Sequence, residues 1–130
     1  MPFLQARHPN RLASEQTLLV EDLIEIAESG WQEAVDAIIE MLADFHVFGT
    51  NSRFAEKMKN LPIWELKTRT RGGLKGGARA YFFTHNHELV VVNAEYKTGN
   101  QPDQQKLLEA VTVFKAHLNQ IPVVERTQHG

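Results

Sequence analysis

Between Glu65 and Glu88 the sequence carries no acidic residue, while Lys67, Arg69, Arg71, Lys75 and Arg79 all fall inside that window. Cations grouped without counter-charges suit phosphate recognition. Arginine offers a planar fork for phosphate oxygens, and crowded cations draw a lysine pKa down toward neutrality. Both properties serve RNA cleavage by attack of a 2′-hydroxyl where no metal or histidine pair is at hand. Tyr81, two residues beyond Arg79, is an aromatic able to stack on a base, and Lys97 ends the next apolar run. An ordinary solvated sheet face shows the same alternation of charge, which also discourages edge-to-edge pairing. Five cations without one interspersed acid set this segment apart, as do the glycines around Lys75 that let backbone approach a ligand.

Other candidates are thinner. His85 and His87 could bring two imidazoles together, but a tight turn explains the pair as well and no third ligand follows. His46 and His117 stand near helix ends, where a cationic ring suits the dipole. Glu65 and Glu95 read as an acid–base pair or as counter-charges for the cations. The run GGLKGG at 72–77 lacks the GK[ST] continuation of a phosphate-binding loop. No serine–histidine–aspartate arrangement can be assembled. With no cysteine, disulfides, thiolate metal sites and thiol nucleophiles are excluded together. Neither a metal nor an organic cofactor is called for.

A chain of 130 residues, 42% apolar and 23% charged, has the composition of one globular domain. Residues 1–60 carry five Lys/Arg against ten Asp/Glu, and residues 61–130 carry nine against six. The net charge of −2 argues against indiscriminate coating of nucleic acid and leaves a local basic face. No apolar run is long enough for a bilayer, and the opening MPFLQARHPNRL lacks a signal-peptide centre, so a cytoplasmic protein without membrane attachment is expected.

The cations need elements to hold them. Val20, Leu23, Ile24 and Ala27 have the spacing of one helical face, as do Trp31, Val35, Ile38, Leu42 and Phe45. Ser29 with Gln32 reads as a capping box between them, giving two helices joined by a very short turn. Residues 46–60 read as an irregular connector. Residues 63–71 alternate as a strand, 78–84 and 89–96 read as two more, and the loop at 72–77 exceeds the usual length of about two to five residues. Pro102 opens a final helix with Leu107, Val111, Phe114 and Leu118 along one face. Residues 3–7 read as a short edge strand or as coil. The expected fold is α+β: a helical hairpin on an antiparallel meander with a C-terminal helix, helices on one face and the cations on the open one. Residues 1–122 would form the domain and 123–130 a flexible tail.

Three runs, LPIWELK at 61–67, GARAYFF at 77–83 and VVVNAEYK at 90–97, together resemble the RelE/HigB superfamily of toxins, in particular its phage-derived, host-killing-like branch. Members carry a "lWELR" strand, a glycine-punctuated loop, a "yRvfYFf" strand and a "vvLLhgfvKK" strand before a helix. The likeness covers about residues 18–118, through the order and spacing of its motifs. Here the "WELR" arginine is Lys67, Asn93 stands where relatives often have histidine, and the chain is slightly acidic where members are basic.

The resemblance implies a toxin of a type II toxin–antitoxin pair, an endoribonuclease that enters the ribosomal decoding site and cuts messenger RNA without metal. Arg79 would hold the scissile phosphate, Lys97 or Lys67 would orient or deprotonate the 2′-hydroxyl, and Tyr81 would stack on the base. Arg69, Arg71 and Lys75 would bind RNA. The implied partners are a cognate antitoxin, with which it would form a hetero-oligomer, and the ribosome with its message; a homo-oligomer is the other assembly considered. The alternative is a non-catalytic binding module on the same scaffold, either a gyrase-inhibiting toxin or an antitoxin-binding co-repressor.

Overall fold

The computed structural model describes residues 2–68, 77–97, 99 and 101–126. Strands β1 (Leu4–Ala6), β2 (Ala55–Lys57), β3 (Trp64–Lys67), β4 (Ala78–His85), β5 (Glu88–Tyr96) and β6 (Val124–Glu125) form one sheet in the order β2-β3-β4-β5-β1-β6. Helices α1 (Leu18–Glu28), α2 (Gln32–Phe48) and α3 (Gln104–Leu118) complete an α+β fold. Every strand pair is antiparallel except β1 with β5. No described helix is long and apolar enough to cross a membrane.

The sheet is covered on both faces, not on one. Alternation along β4 sends Ala78, Ala80 and Phe82 toward α1 and α2, where Phe82 meets Phe45 at 4.4 Å and stacks with Trp64 at 5.7 Å. Tyr81 and Phe83 point the other way, into a second core with Val90, Val92 and the Leu107, Ala110 and Val113 stripe of α3. The short antiparallel strands are therefore nearly continuous in apolar residues, as strands buried on both sides are.

Several local expectations are corrected. The α1 face that packs inward is Leu18, Leu19, Asp22 and Ile26, one residue out of phase with the sequence pattern, and Ile24 is exposed. Ser29 ends α1 rather than capping α2: its hydroxyl donates to the Glu25 carbonyl, and α2 starts after Trp31 with no side-chain cap. Gly30 then takes φ +87°, the left-handed step that closes α1 with Gly30 N–H on Ala27 and Trp31 N–H on Ile26. The connector after α2 contributes β2, because Ala55 and Lys57 pair with Leu66 and Trp64.

The ends of the described chain are ordered by the sheet. Residues 4–6 form a strand, yet an interior one, parallel to β5 and flanked on its far side by β6. Residues 123–126 are no tail: Val123 is buried, Val124–Glu125 is β6, and Arg126 holds Glu88 at 2.6 Å. The rest of the expected tail, 127–130, lies outside the described residues. At the other hairpin, Asn86 and His87 adopt φ +50° and +66°, the backbone of the tight turn expected there.

Candidate functional site

Register places Lys67 opposite Arg79 and Arg79 opposite Glu95, so these three form one row across β3, β4 and β5. The next row is Glu65, Tyr81 and Asn93. Both rows lie on the α3 side of the sheet. Asn93, Glu95 and Lys97 reach that side because β5 carries a bulge: Tyr81 pairs with Asn93 but Phe82 with Val91, leaving Val92 as an extra residue. Val92 and Asn93 consequently both face α3, and every later residue of the strand is turned over relative to strict alternation. Were Val92 in regular alternation instead of bulged, Lys97 would sit on the α1 face, away from Arg79.

Arg79 is only 2% exposed. Its Nη1 donates to Glu65 Oε2 at 3.2 Å and its Nη2 to the Gly99 carbonyl at 3.1 Å, while its buried Nε has no acceptor among the described residues. Lys67 Nζ lies 3.7 Å from the other Glu65 oxygen and 3.2 Å from Glu56. Lys97 is buried, its backbone N–H tied to the Gly77 carbonyl at 2.7 Å. Burial first, then the charges of Arg79 and Lys67, hold its ammonium below the ordinary lysine range.

Tyr81 does not present a face for a base. Its ring is fully enclosed and its hydroxyl donates to Glu95 at 2.9 Å. Burial and the Glu95 carboxylate push the phenol pKa up, so it remains a hydrogen-bond donor. Burial likewise raises Glu95, although Tyr81 and the Asp103 N–H at 3.1 Å stabilise its charged form. Asp103 caps α3 by accepting from the Gln105 and Lys106 N–H groups, so Glu95 links the start of that helix to the sheet. Arg69, Arg71 and Lys75 lie outside the described residues.

The expected convergence is therefore present for Lys67, Arg79 and Lys97, with two carboxylates built into it. At the edge of β5 beyond β1, between α1 and the start of α3, a cleft of about 470 Å³ is lined by Asp22, Glu25, Glu95 and Asp103, with Lys106 and Tyr96. Four acids repel a phosphate, so an anion must approach from the cationic side. Chemically, the cluster offers guanidinium donors for an oxyanion and a lysine displaced toward the pH range of a general base.

Two further groups escape the sequence. Asp22, 7% exposed, holds Lys106 Nζ at 2.6 Å and accepts from the Ala94 N–H at 3.0 Å, capping β5 where β1 has ended. Burial raises its pKa, opposed by Lys106. The aspartate falls on the inward face only once that face is shifted by one residue from the apolar spacing, so the sequence leaves no signal of it. His85 finds its partner not in His87 but in His117, with Nδ1 and Nε2 at 3.1 Å. Nothing in a separation of 32 residues announces that contact. Among the described residues, no three histidine or acidic side chains gather as metal ligands.

No family model matches the sequence, and no curated protein and no solved structure is significantly similar to it.

Proposed function

We propose that this chain is a metal-independent endoribonuclease, the toxin of a type II toxin–antitoxin pair of the RelE/HigB kind, acting on messenger RNA in the ribosome. The observation that carries the reading is the gathering of three cations at one end of the sheet: Lys67 lies opposite Arg79, and Lys97 follows on β5 with its N–H on Gly77 and its ammonium held below the ordinary range by burial and by those two charges. A structural surface lysine has no need of such a setting, whereas a general base does. In the proposed reaction neutral Lys97 takes the proton of a 2′-hydroxyl, and O2′ attacks the adjacent phosphorus. The P–O5′ bond breaks with its electron pair leaving on O5′, which takes a proton from the Lys67 ammonium. The products are a 2′,3′-cyclic phosphate and a 5′-hydroxyl. Arg79 meets the charge that develops on the non-bridging oxygens. Arg69, Arg71 and Lys75 supply the RNA-backbone contacts in this reading.

Primer extension on a message in a reconstituted translation reaction tests it. Cuts that require both programmed ribosomes and this protein are expected. Their absence with folded protein supports a second reading, the non-catalytic binder of an antitoxin or of gyrase. What favours that second reading is the enclosure of Arg79 by Glu65 and Gly99.

A further inference from the structure

Glu65 stands where an oxyanion would. Its carboxylate is 8% exposed and faces Arg79 at 3.2 Å and Lys67 at 3.7 Å, while its charge also acts on Lys97. Both distances exceed the roughly 2.7–2.9 Å of a well-made charge-assisted bond. The guanidinium it holds is likewise not fully bonded, because Arg79 Nε is buried without an acceptor among the described residues. Buried donors without acceptors are rare, and each asks for a reason. Lys67 is moreover shared with Glu56, so losing Glu65 does not leave it uncompensated.

We propose that Glu65 is an internal stand-in for phosphate: it fills the oxyanion position between Arg79 and Lys67 in the resting protein and yields it to a phosphodiester of single-stranded RNA. The inference rests on the reading of this sheet end as an RNA-contacting one, and adds to it how the site is kept closed. A phosphodiester carries the same single negative charge as the carboxylate. Exchanging them preserves the charge balance among Lys67, Arg79 and Lys97, while Glu65 turns out to water. The arginine is then released from its carboxylate only when a competing oxyanion is supplied. Glu65 in this scheme is a gating residue that touches Arg79 in the resting state and not the reacting atoms.

The test is binding, without ribosomes and without a cleavable bond, so its outcome is independent of whether the protein cuts RNA. A fluorescein-labelled single-stranded RNA with 2′-deoxy substitutions is titrated with the full chain at low salt and followed by anisotropy. Glu65→Gln should tighten binding by about tenfold, the worth of one displaced charge-assisted contact. Glu65→Asp, which keeps a competitor in place, should stay near the wild-type affinity. Glu56→Gln removes the same unit of charge from the exposed partner of Lys67 and should change affinity less than about threefold. Equal tightening by Glu65→Gln and Glu56→Gln would mean a net-charge effect and overturn the proposal, as would unchanged or weaker binding by folded Glu65→Gln. If that variant does not fold, titration of the wild-type protein with inorganic phosphate, read at the Arg79 Nε–H resonance and the Glu65 carboxyl carbon, decides the matter. Both signals should move together; saturating phosphate that moves neither overturns the exchange.

Discussion

Arg79 and Glu65 form an ion pair across β3 and β4 at 3.2 Å, with both side chains almost wholly removed from water. A pair in that position is not interchangeable with a surface salt bridge, because removing one member strands the other in a poorly solvated site. Reading the cations as an exposed sheet face would make Arg79→Ala a clean loss of function. Burial changes that expectation.

Arg79→Ala is expected to lower the stability of the domain by about 2–4 kcal/mol, since the buried Glu65 carboxylate loses the guanidinium that it pairs with at 3.2 Å. Arg79→Lys keeps the charge, loses the fork and should cost less. On the proposed chemistry, Arg79→Lys in folded protein should slow messenger cleavage by about 100- to 1,000-fold, the loss of an oxyanion donor. Urea melts and single-turnover cleavage on programmed ribosomes separate the two effects. A folded lysine variant with an unchanged rate removes Arg79 from the reaction.

Lys97 acts as a base only when neutral, so the cleavage rate should rise with pH and level off below the ordinary lysine range, where burial, Arg79 and Lys67 have moved its pKa. Lys97→Arg keeps a cation that does not deprotonate and should abolish that rise along with most activity. A pH–rate profile with the same rising limb in Lys97→Arg assigns the base elsewhere.

Asp22→Ala removes the acceptor of the Ala94 N–H and the counter-ion of Lys106 together. Stability should fall by about 2–4 kcal/mol, and Asp22→Asn, which keeps an acceptor for the backbone, should fall by less. Amide exchange at Ala94 should accelerate in the alanine variant before the rest of β5 does. A midpoint in urea that does not move marks the contact as dispensable.

The pair of His85 and His117 gives stability a pH dependence of predictable sign. Burial, then the neighbouring His85, lowers the His117 pKa below the free value of 6.5, while Glu88 opposes the shift and Arg126 adds to it. The native state thus binds fewer protons than the unfolded chain. The stability this provides is complete above 6.5 and drains as the pH falls through 6.5 toward the lowered native value. Thermal melts from pH 8 to 5 should show a loss in wild type that His117→Asn flattens, and parallel curves for the two proteins would refute the assignment.

The helical hairpin, the three central strands and the last helix are legible in the sequence because their apolar spacing is regular. What is not legible depends on single residues. The pattern on α1 suggests Val20 and Ala27 as inward, whereas the buried positions include Asp22, an acid no hydropathy rule places inside. The valines of β5 read as one strand facing a single layer of helices. The bulge at Val92 is invisible to alternation, yet it sets Glu95 and Lys97 on the side of Arg79, opposite to where strict alternation from Val90 would put them. The convergence of cations is thus inferred from the sequence with a register that the bulge revises. Glu65 and Glu95 are visible as acids near the cations; the burial of Glu65 beside Arg79 and the tie from Glu95 to the start of α3 are not, since both come from contacts between segments distant in the chain.

The placement of β1 has a further consequence. Leu4 and Gln5 pair with Val90 and Val91 on one side, and Gln5 pairs with Glu125 on the other. Strand β1 therefore has no sheet neighbour until β5 has been made, and none on its outer side until β6 has. Strands β2 to β5 pair with their neighbours in sequence, whereas β1 is held only by contacts of long sequence separation, which makes its docking a late step. A truncation at residue 122 would uncover the outer edge of β1, leaving its backbone groups open to a strand from another molecule. During synthesis, and in any shortened form, this protein should be prone to self-association until its last strand is in place.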